Sequence, residues 1–414
     1  MAYRRKENKL WDFKDADTKE YTHCYHNYPA MMIPQVARRI LREFRPEGRC
    51  EMLLDPYMGS GTSLVEASLC GMSSVGTDLN PLARFISKVK TTRYDAMAIE
   101  REFRNIQNGL LFYSDEAVRE RDFGRISNRE FWYSYDVLLR LSYLSQLIRD
   151  NSADNIDFFN LALSEVVREA SYTRNGEFKR FRMDKKRIAT YNPDVFKMFE
   201  EKVKRNIIGL VEYKKAVIND DVRIYGFDST LPIPDDAVAK ESVDIVLTSP
   251  PYGDSRTTVA YGQFSRWSNE WFSFEHARNL DTLLMGGGKN VSELDTKTIS
   301  SELQQIKDID CRRYCEVVSF LNDYKASIIN VADTVRTGGM VCYVVGNRNV
   351  KGVQIPLDYF TAEMFEQCGF EHVTTVVRSI PNKRMPSKTS PTNIAGKKVD
   401  TMNNEYIVVM RKLN

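Results

Sequence analysis

Residues 52–62 read Met-Leu-Leu-Asp-Pro-Tyr-Met-Gly-Ser-Gly-Thr, and the way that stretch is punctuated decides the fold. Met52–Leu54 are apolar and make a short buried strand. Gly59 and Gly61 permit a tight turn, after which a helix runs to a stop near Gly71. A second strand, Ser73–Thr77, ends at Asp78, and Pro81 opens the next helix after Asn80. A repeated strand–loop–helix unit of this kind begins an open, doubly wound α/β sheet.

Working outward, Ile33, Val36, Ile40 and Phe44 recur at helical spacing around Pro34, with arginines on the other faces, which predicts an amphipathic helix. From about Ala96 to Val222 the chain reads as helical, with stretches such as FWYSYDVLLRLSYLSQLIRD and few strand signals. We expect a sheet domain built from residues 20–95 and 220–414, with residues 96–222 as a helical insertion. Strand character returns at Arg223–Phe227 and Val243–Thr248. Gly253 to about Asp310 reads as irregular, and a long helix that includes Tyr314 and Val335 is expected to end at Gly338-Gly339. Met340–Val345 follows as a strand, and TAEMFEQCGF as a helix closed by Gly369. Phe370–Ser379 and Glu405–Arg411 form a final strand pair, which implies an antiparallel edge.

Composition excludes several classes. The apolar share is 42% and the charged share 28%, as in an ordinary globular protein. No apolar run is long enough to span a bilayer, and none follows the basic MAYRRKENKLWDF start as a signal peptide requires. A cytoplasmic protein is expected, without a membrane partner. The seven cysteines form no CxxC framework, and His23, Cys24 and His26 lack a second pair of ligands, so no metal site is expected. A net charge of +3 means that any nucleic-acid binding must come from a local patch.

Two segments carry chemistry. In Asp55-Pro56-Tyr57-Met58-Gly59-Ser60-Gly61-Thr62 no lysine follows the glycines, so the loop is not a phosphate-binding P-loop, and GxGxxG is absent too. A glycine turn beside an acid suits a nucleoside carrying an amino-acid moiety, with Asp55 holding its ammonium group. Asp78 stands where a dinucleotide fold places its ribose-binding acid, and Asp228, after the strand Arg223–Phe227, can accept from an adenine amine. Singly these acids read as a helix cap and a turn residue; three strand-end acids around one glycine loop read as a site.

The second segment is Thr248-Ser249-Pro250-Pro251-Tyr252. A Pro-Pro pair alone would default to a turn. Here it follows a strand of a nucleoside-binding sheet, and the Ser249 hydroxyl and Pro250 carbonyl can both accept from an NH2 group, turning its lone pair toward an incoming methyl. Tyr252 offers a face on which an extruded base could stack. The aromatic stretch after it is expected to line a base pocket, although Trp267, Trp271 and Phe272 read better as core.

Taken in order, DPYMGSGT, VGTDLNPLA and TSPPYGD resemble the S-adenosylmethionine-dependent amino-methyltransferases of DNA, and the serine form TSPPY resembles their cytosine-N4 branch. The resemblance covers roughly residues 20–90 and 220–410. It implies a Rossmann-like seven-stranded methyltransferase sheet with an antiparallel last strand, S-adenosylmethionine as cofactor, double-stranded DNA as substrate, and a cognate restriction endonuclease as companion. It also implies that Tyr28, Pro29 and Ala30, within HNYPAMMIP, close over the methionine end of the cofactor, beside the loop residues Asp55, Pro56, Gly59, Gly61 and Thr62. Met31-Met32 departs from the family, which often has a lysine and an aromatic residue there.

Two basic stretches are candidate DNA contacts: Arg174, Lys179, Arg180 and Arg182, interleaved with Phe178 and Phe181, and the loop carrying Lys383 and Arg384. A solvated face is the commoner meaning of any one charge run. Adenine-N6 methylation, methylation of a guanine amine in structured RNA, and a catalytically inactive DNA-binding regulator with the same fold remain as alternatives. Cytosine-C5 chemistry lacks its Pro-Cys nucleophile.

Overall fold

The computed structural model describes residues 3–413 apart from 47, 49, 153, 255–257, 289, 381–387, 390–398 and 401–402. Eight strands form the main sheet: β1 Arg5–Glu7, β2 Met52–Asp55, β3 Ser73–Thr77, β4 Val222–Tyr225, β5 Val243–Thr248, β6 Val335–Val345, β7 Phe370–Ser379 and β8 Asn404–Lys412. Their order across the sheet is β1-β7-β8-β6-β5-β2-β3-β4. β8 runs antiparallel to both neighbours, Val408 facing Tyr343 on β6 and Thr375 on β7, whereas β6, β5, β2, β3 and β4 are mutually parallel. The expected α/β sheet with a reversed last strand is therefore present. The sequence reading did not include β1, a three-residue edge strand parallel to β7.

Successive residues of a strand point to opposite faces, and the sheet is apolar on both. Leu53, Ile245, Cys342 and Ile407 pack under α1 (Pro34–Glu43) and α2 (Thr62–Leu69). Leu54, Val246, Tyr343 and Val408 share a second core with Phe320, Tyr324 and Phe365 from two C-terminal helices, Cys311–Thr334 and Leu357–Gln367. Between β3 and β4 the chain is helical, beginning with α3 (Pro81–Thr91) and α4 (Ala96–Leu110). It continues through α5 (Tyr135–Asn151), α6 (Ile156–Glu169) and α7 (Val195–Ala216). These helices share a third core, which also takes in Trp267 and Trp271 of α8 (Tyr261–Trp271).

Two expectations need correction. The long helix ends at Thr334, and β6 starts at Val335 without using Gly338-Gly339 as a stop. The pairing of β5 with β6 jumps from Val243–Val335 to Ile245–Met340, so the extra residues bulge out and Gly338 takes φ +73° within that bulge. Residues 253–310 are also less irregular than expected, because they contain α8 and the helix Ser300–Ile309. Sparse apolar residues hid the second of these helices, which buries only Leu303 and Ile306.

Candidate active site

Parallel strands deliver their C-terminal ends, and the loops that follow, to one edge of the sheet. Here that edge holds a cleft of about 930 Å³ counted out to its open mouth. Its lining includes Tyr28, Pro29 and Ala30, then Asp55, Pro56, Gly59 and Thr62, and Asp78, Asp228, Ser249 and Pro251. The structure thus gathers eleven of the fourteen positions expected for cofactor and catalysis, although they come from five separate segments. Gly61, Pro250 and Tyr252 are not among the lining residues but adjoin them in the chain. Gly61 has φ +72° at the start of α2, where a Cβ would come within 2.7 Å of the Ser87 hydroxyl.

The floor is rigid. Asp55 is buried and accepts from the Tyr57 N–H at 3.0 Å, the Thr248 hydroxyl at 2.5 Å and the Ser63 hydroxyl. Burial pushes its carboxyl up to about 6; those donors oppose the rise and the nearby charge of Asp78 adds to it. Because Thr248 precedes Ser249, its bond to Asp55 ties the glycine loop to the Ser-Pro-Pro turn. Asp78, half-buried, accepts from Gly59 N–H at 3.1 Å and Asn80 N–H at 2.7 Å, and burial raises it to about 6 as well. The cap of α3 falls to Asn80, whose side chain accepts from Leu82 N–H at 3.1 Å. Asp78 is therefore released from that duty. Asp228 accepts from Thr230 N–H at 2.9 Å, the turn role the sequence also allowed. From beneath, α3 grips the loop: Ser87 donates to the Gly59 carbonyl at 3.0 Å and the buried Lys90 to the Ser60 carbonyl at 2.8 Å.

The HNYPAMM segment closes one side. Asn27 N–H donates to Glu165 on α6 at 3.0 Å, and Arg205 on α7 donates to the Tyr25 carbonyl at 2.6 Å, so the helical layer holds this flap. The Tyr28 hydroxyl accepts from Asn80, and its ring stacks on Tyr261 with centroids 5.9 Å apart. His23, read as lacking metal partners, pairs instead with Glu66 at 2.9 Å.

At the turn, the Tyr252 hydroxyl lies 3.1 Å from Ser249 Oγ and 3.3 Å from a carboxylate oxygen of Glu405 at the start of β8. Glu405 is ion-paired with the buried Arg378. Asp254 sits 3.5 Å from both Arg313 and Arg348, and burial with the neighbouring Arg313 lowers Arg348 to about 10. A Cβ at Gly253 would overlap the Arg348 guanidinium.

Tyr261, in the aromatic stretch expected to line a pocket, does line the cleft, whereas sequence reasoning missed Leu79, Phe227, Leu284 and Met285, which supply apolar walls. Leu79 and Phe227 each adjoin a predicted acid and were within reach. The others arrive through tertiary packing and left no local signal. Trp267 and Trp271 are core residues, as expected.

The basic stretch Arg174–Arg182 forms a hairpin, with Thr173 bridged to Arg182. Arg180 lies over Trp267 at 4.7 Å and Arg182 over Phe131 at 4.1 Å, so both are partly committed to aromatic faces, while Arg174 is exposed. Arg180 N–H donates to Gln263 at 3.2 Å, two residues beyond the cleft-lining Tyr261. Lys383 and Arg384 lie outside the described residues. Among the described residues no helix is long and apolar enough to cross a membrane.

No protein-family model matches the chain. It is 36% identical over 429 residues to the type II methyltransferase M.MvaI of Kocuria varians, covering 98% of this chain and 94% of that one. Solved structures resemble it more remotely. The rRNA methyltransferase aviRa from Streptomyces viridochromogenes gives a TM-score of 0.33 at 11% identity, over 94% of this chain and 88% of that one. TTHA0409 of Thermus thermophilus, complexed with S-adenosyl-L-methionine, gives 0.22 at 18% identity, over 45% and 54%. By its full-length similarity to M.MvaI, this chain belongs to the type II DNA methyltransferases, enzymes that use S-adenosylmethionine.

Proposed function

We propose that the enzyme transfers the methyl group to the N4 amine of cytosine within a specific double-stranded DNA sequence, as the modification half of a restriction–modification pair. The observation that carries this reading is that Ser249 and Pro251 line the same cleft as Asp55, Asp78 and Asp228. Asp78 would accept from the ribose hydroxyls of the cofactor, Asp228 from its adenine amine, and Leu79 and Phe227 would flank the base. Asp55 already accepts three hydrogen bonds, so its part is to hold the loop and to face the cationic methionine end with its charge. Tyr28, Pro29 and Ala30 would cover that end. Gly59 and Gly61 shape the turn, and Pro56 and Thr62 complete the wall.

S-adenosylmethionine supplies an electrophilic methyl sulfonium. The chain's own residues would extrude the target base, accept hydrogen bonds from its amine N–H groups at Ser249 Oγ and the Pro250 carbonyl, and stack it on Tyr252. The helical segment 96–222 would contact DNA through Arg174, Lys179, Arg180 and Arg182, and the Lys383–Arg384 loop would add to that surface. Serine before Pro-Pro-Tyr favours cytosine over adenine. Nucleoside mass spectrometry of DNA incubated with enzyme and cofactor tests the proposal: N4-methylcytosine is expected, and N6-methyladenine as the sole product would overturn it.

A further inference from the structure

From the chain of contacts Ser249–Tyr252–Glu405, we infer that Glu405 fixes the hydrogen-bond polarity of Ser249 and so selects an amino over an oxo group on the base. The inference rests on the reading of Ser249 as the group that meets the target base.

A serine hydroxyl can donate one hydrogen bond and accept two, and so can a tyrosine hydroxyl, so either could run in either direction. Glu405 removes the ambiguity. Its side chain receives the guanidinium of Arg378, which is buried and also donates to the Trp11 carbonyl at 2.8 Å. A carboxylate in that setting only accepts. The Tyr252 hydroxyl, 3.3 Å from it, must spend its single proton on Glu405. At the 3.1 Å contact, Tyr252 can then only accept, and Ser249 must donate. With its proton committed, Ser249 turns its lone pairs toward the cleft it lines. An amino group there finds an acceptor. An oxo group finds lone pairs facing lone pairs, with no proton to share.

Glu405 stands on β8, more than 150 positions after Ser249, and is brought beside the turn because β8 inserts next to β6. It is a positioning residue, acting on the base through two hydroxyls.

The test uses a duplex carrying the mapped target site, and a second duplex in which the methylated base is replaced by its oxo counterpart. That is uracil if the product is methylcytosine and hypoxanthine if it is methyladenine. Dissociation constants for both duplexes are measured with S-adenosylhomocysteine present, for wild type, Glu405→Gln and Tyr252→Phe. Changes in base pairing are identical for every protein, so the oxo-to-amino ratio of dissociation constants can be compared between them. Wild type is expected to prefer the amino duplex. Both variants should narrow that preference by roughly tenfold, the scale of one mismatched buried hydrogen bond, without change in cofactor affinity. Glutamine can turn its NH2 toward Tyr252 and reverse the chain, whereas phenylalanine cuts it. If losing the pair with Arg378 unfolds Glu405→Gln, Tyr252→Phe decides alone, because it leaves that pair intact. An unchanged ratio in the folded variants overturns the inference. Failure of the cytosine-N4 assignment is read separately, from the wild-type product.

Discussion

Replacing Asp78 by asparagine isolates what a single strand-end acid does for the cofactor. An ionised carboxylate offers about four acceptor sites, and Gly59 and Asn80 occupy two of them. Two remain for ribose hydroxyls. A hydrogen bond to a charged group contributes about 1.5–3 kcal/mol, so Asp78→Asn should weaken cofactor binding roughly 10- to 150-fold. A pH dependence follows from the same residue. Burial raises Asp78 from its ordinary 3.8 to about 6 in the unliganded protein, so at pH 5 the carboxyl is mostly protonated and its acceptors are reduced. If only the ionised form binds, the dissociation constant grows by a factor of about ten from pH 7 to pH 5, with one proton released on binding. The sign for stability is the opposite. An acid raised above its unfolded value favours the folded apoprotein at low pH, and that contribution is lost as pH rises from about 4 through about 6. Burial raises Asp55 to about 6 as well, with a smaller contribution from the charge on Asp78, and the asparagine variant, lacking the Asp78 titration, should flatten the profile. Isothermal calorimetry with S-adenosylhomocysteine between pH 5 and pH 8 is the assay. A wild-type affinity independent of pH, or an Asp78→Asn protein that binds as tightly as wild type, would refute the reasoning.

Two further predictions concern the catalytic turn and the DNA surface. Gly253→Ala should lower single-turnover methyl transfer at least about tenfold by displacing the Arg348 guanidinium, and most of that loss should disappear in an Arg348→Ala background; simple additivity would show that the two do not share space. Neutralising Arg174 and Lys179 together should weaken DNA binding and reduce its salt slope by about two, with cofactor affinity unchanged; an unaltered slope would place both on a solvated face.

The parts of the site that could be read in the sequence are those built locally. Asp55, Asp78 and Ser249 each end a strand or follow one directly, so a short apolar run and the residues after it locate them together. The antiparallel β8 was also readable, because a sheet that ends in two strands with no helix between them usually carries an antiparallel edge. What stayed hidden depends on distance along the chain. Glu405 gains its meaning only when β8 slides in beside β6, and Leu284 and Met285 only when the chain after α8 reaches the cleft. Arg180 and Arg182 looked like a phosphate-binding run, yet each lies over an aromatic ring contributed from elsewhere. Gly338-Gly339 misled for a similar reason: the same pair can cap a helix or form a bulge, and only the partner strand chooses.

The long helical route between β3 and β4 has a thermodynamic corollary. Ser74 and Val222 are partners in the sheet, although about 150 residues separate them. Closing a flexible loop costs free energy that grows only with the logarithm of its length, so a tenfold longer connection adds about 2 kcal/mol. The intervening helices bury a core of their own residues, such as Phe158, Phe159 and Phe199, which offsets that increment. The same connection carries Asp78, the Ser87 and Lys90 contacts to the glycine loop and the Glu165 and Arg205 contacts to the flap, so replacing it would dismantle the cleft as well as the pairing.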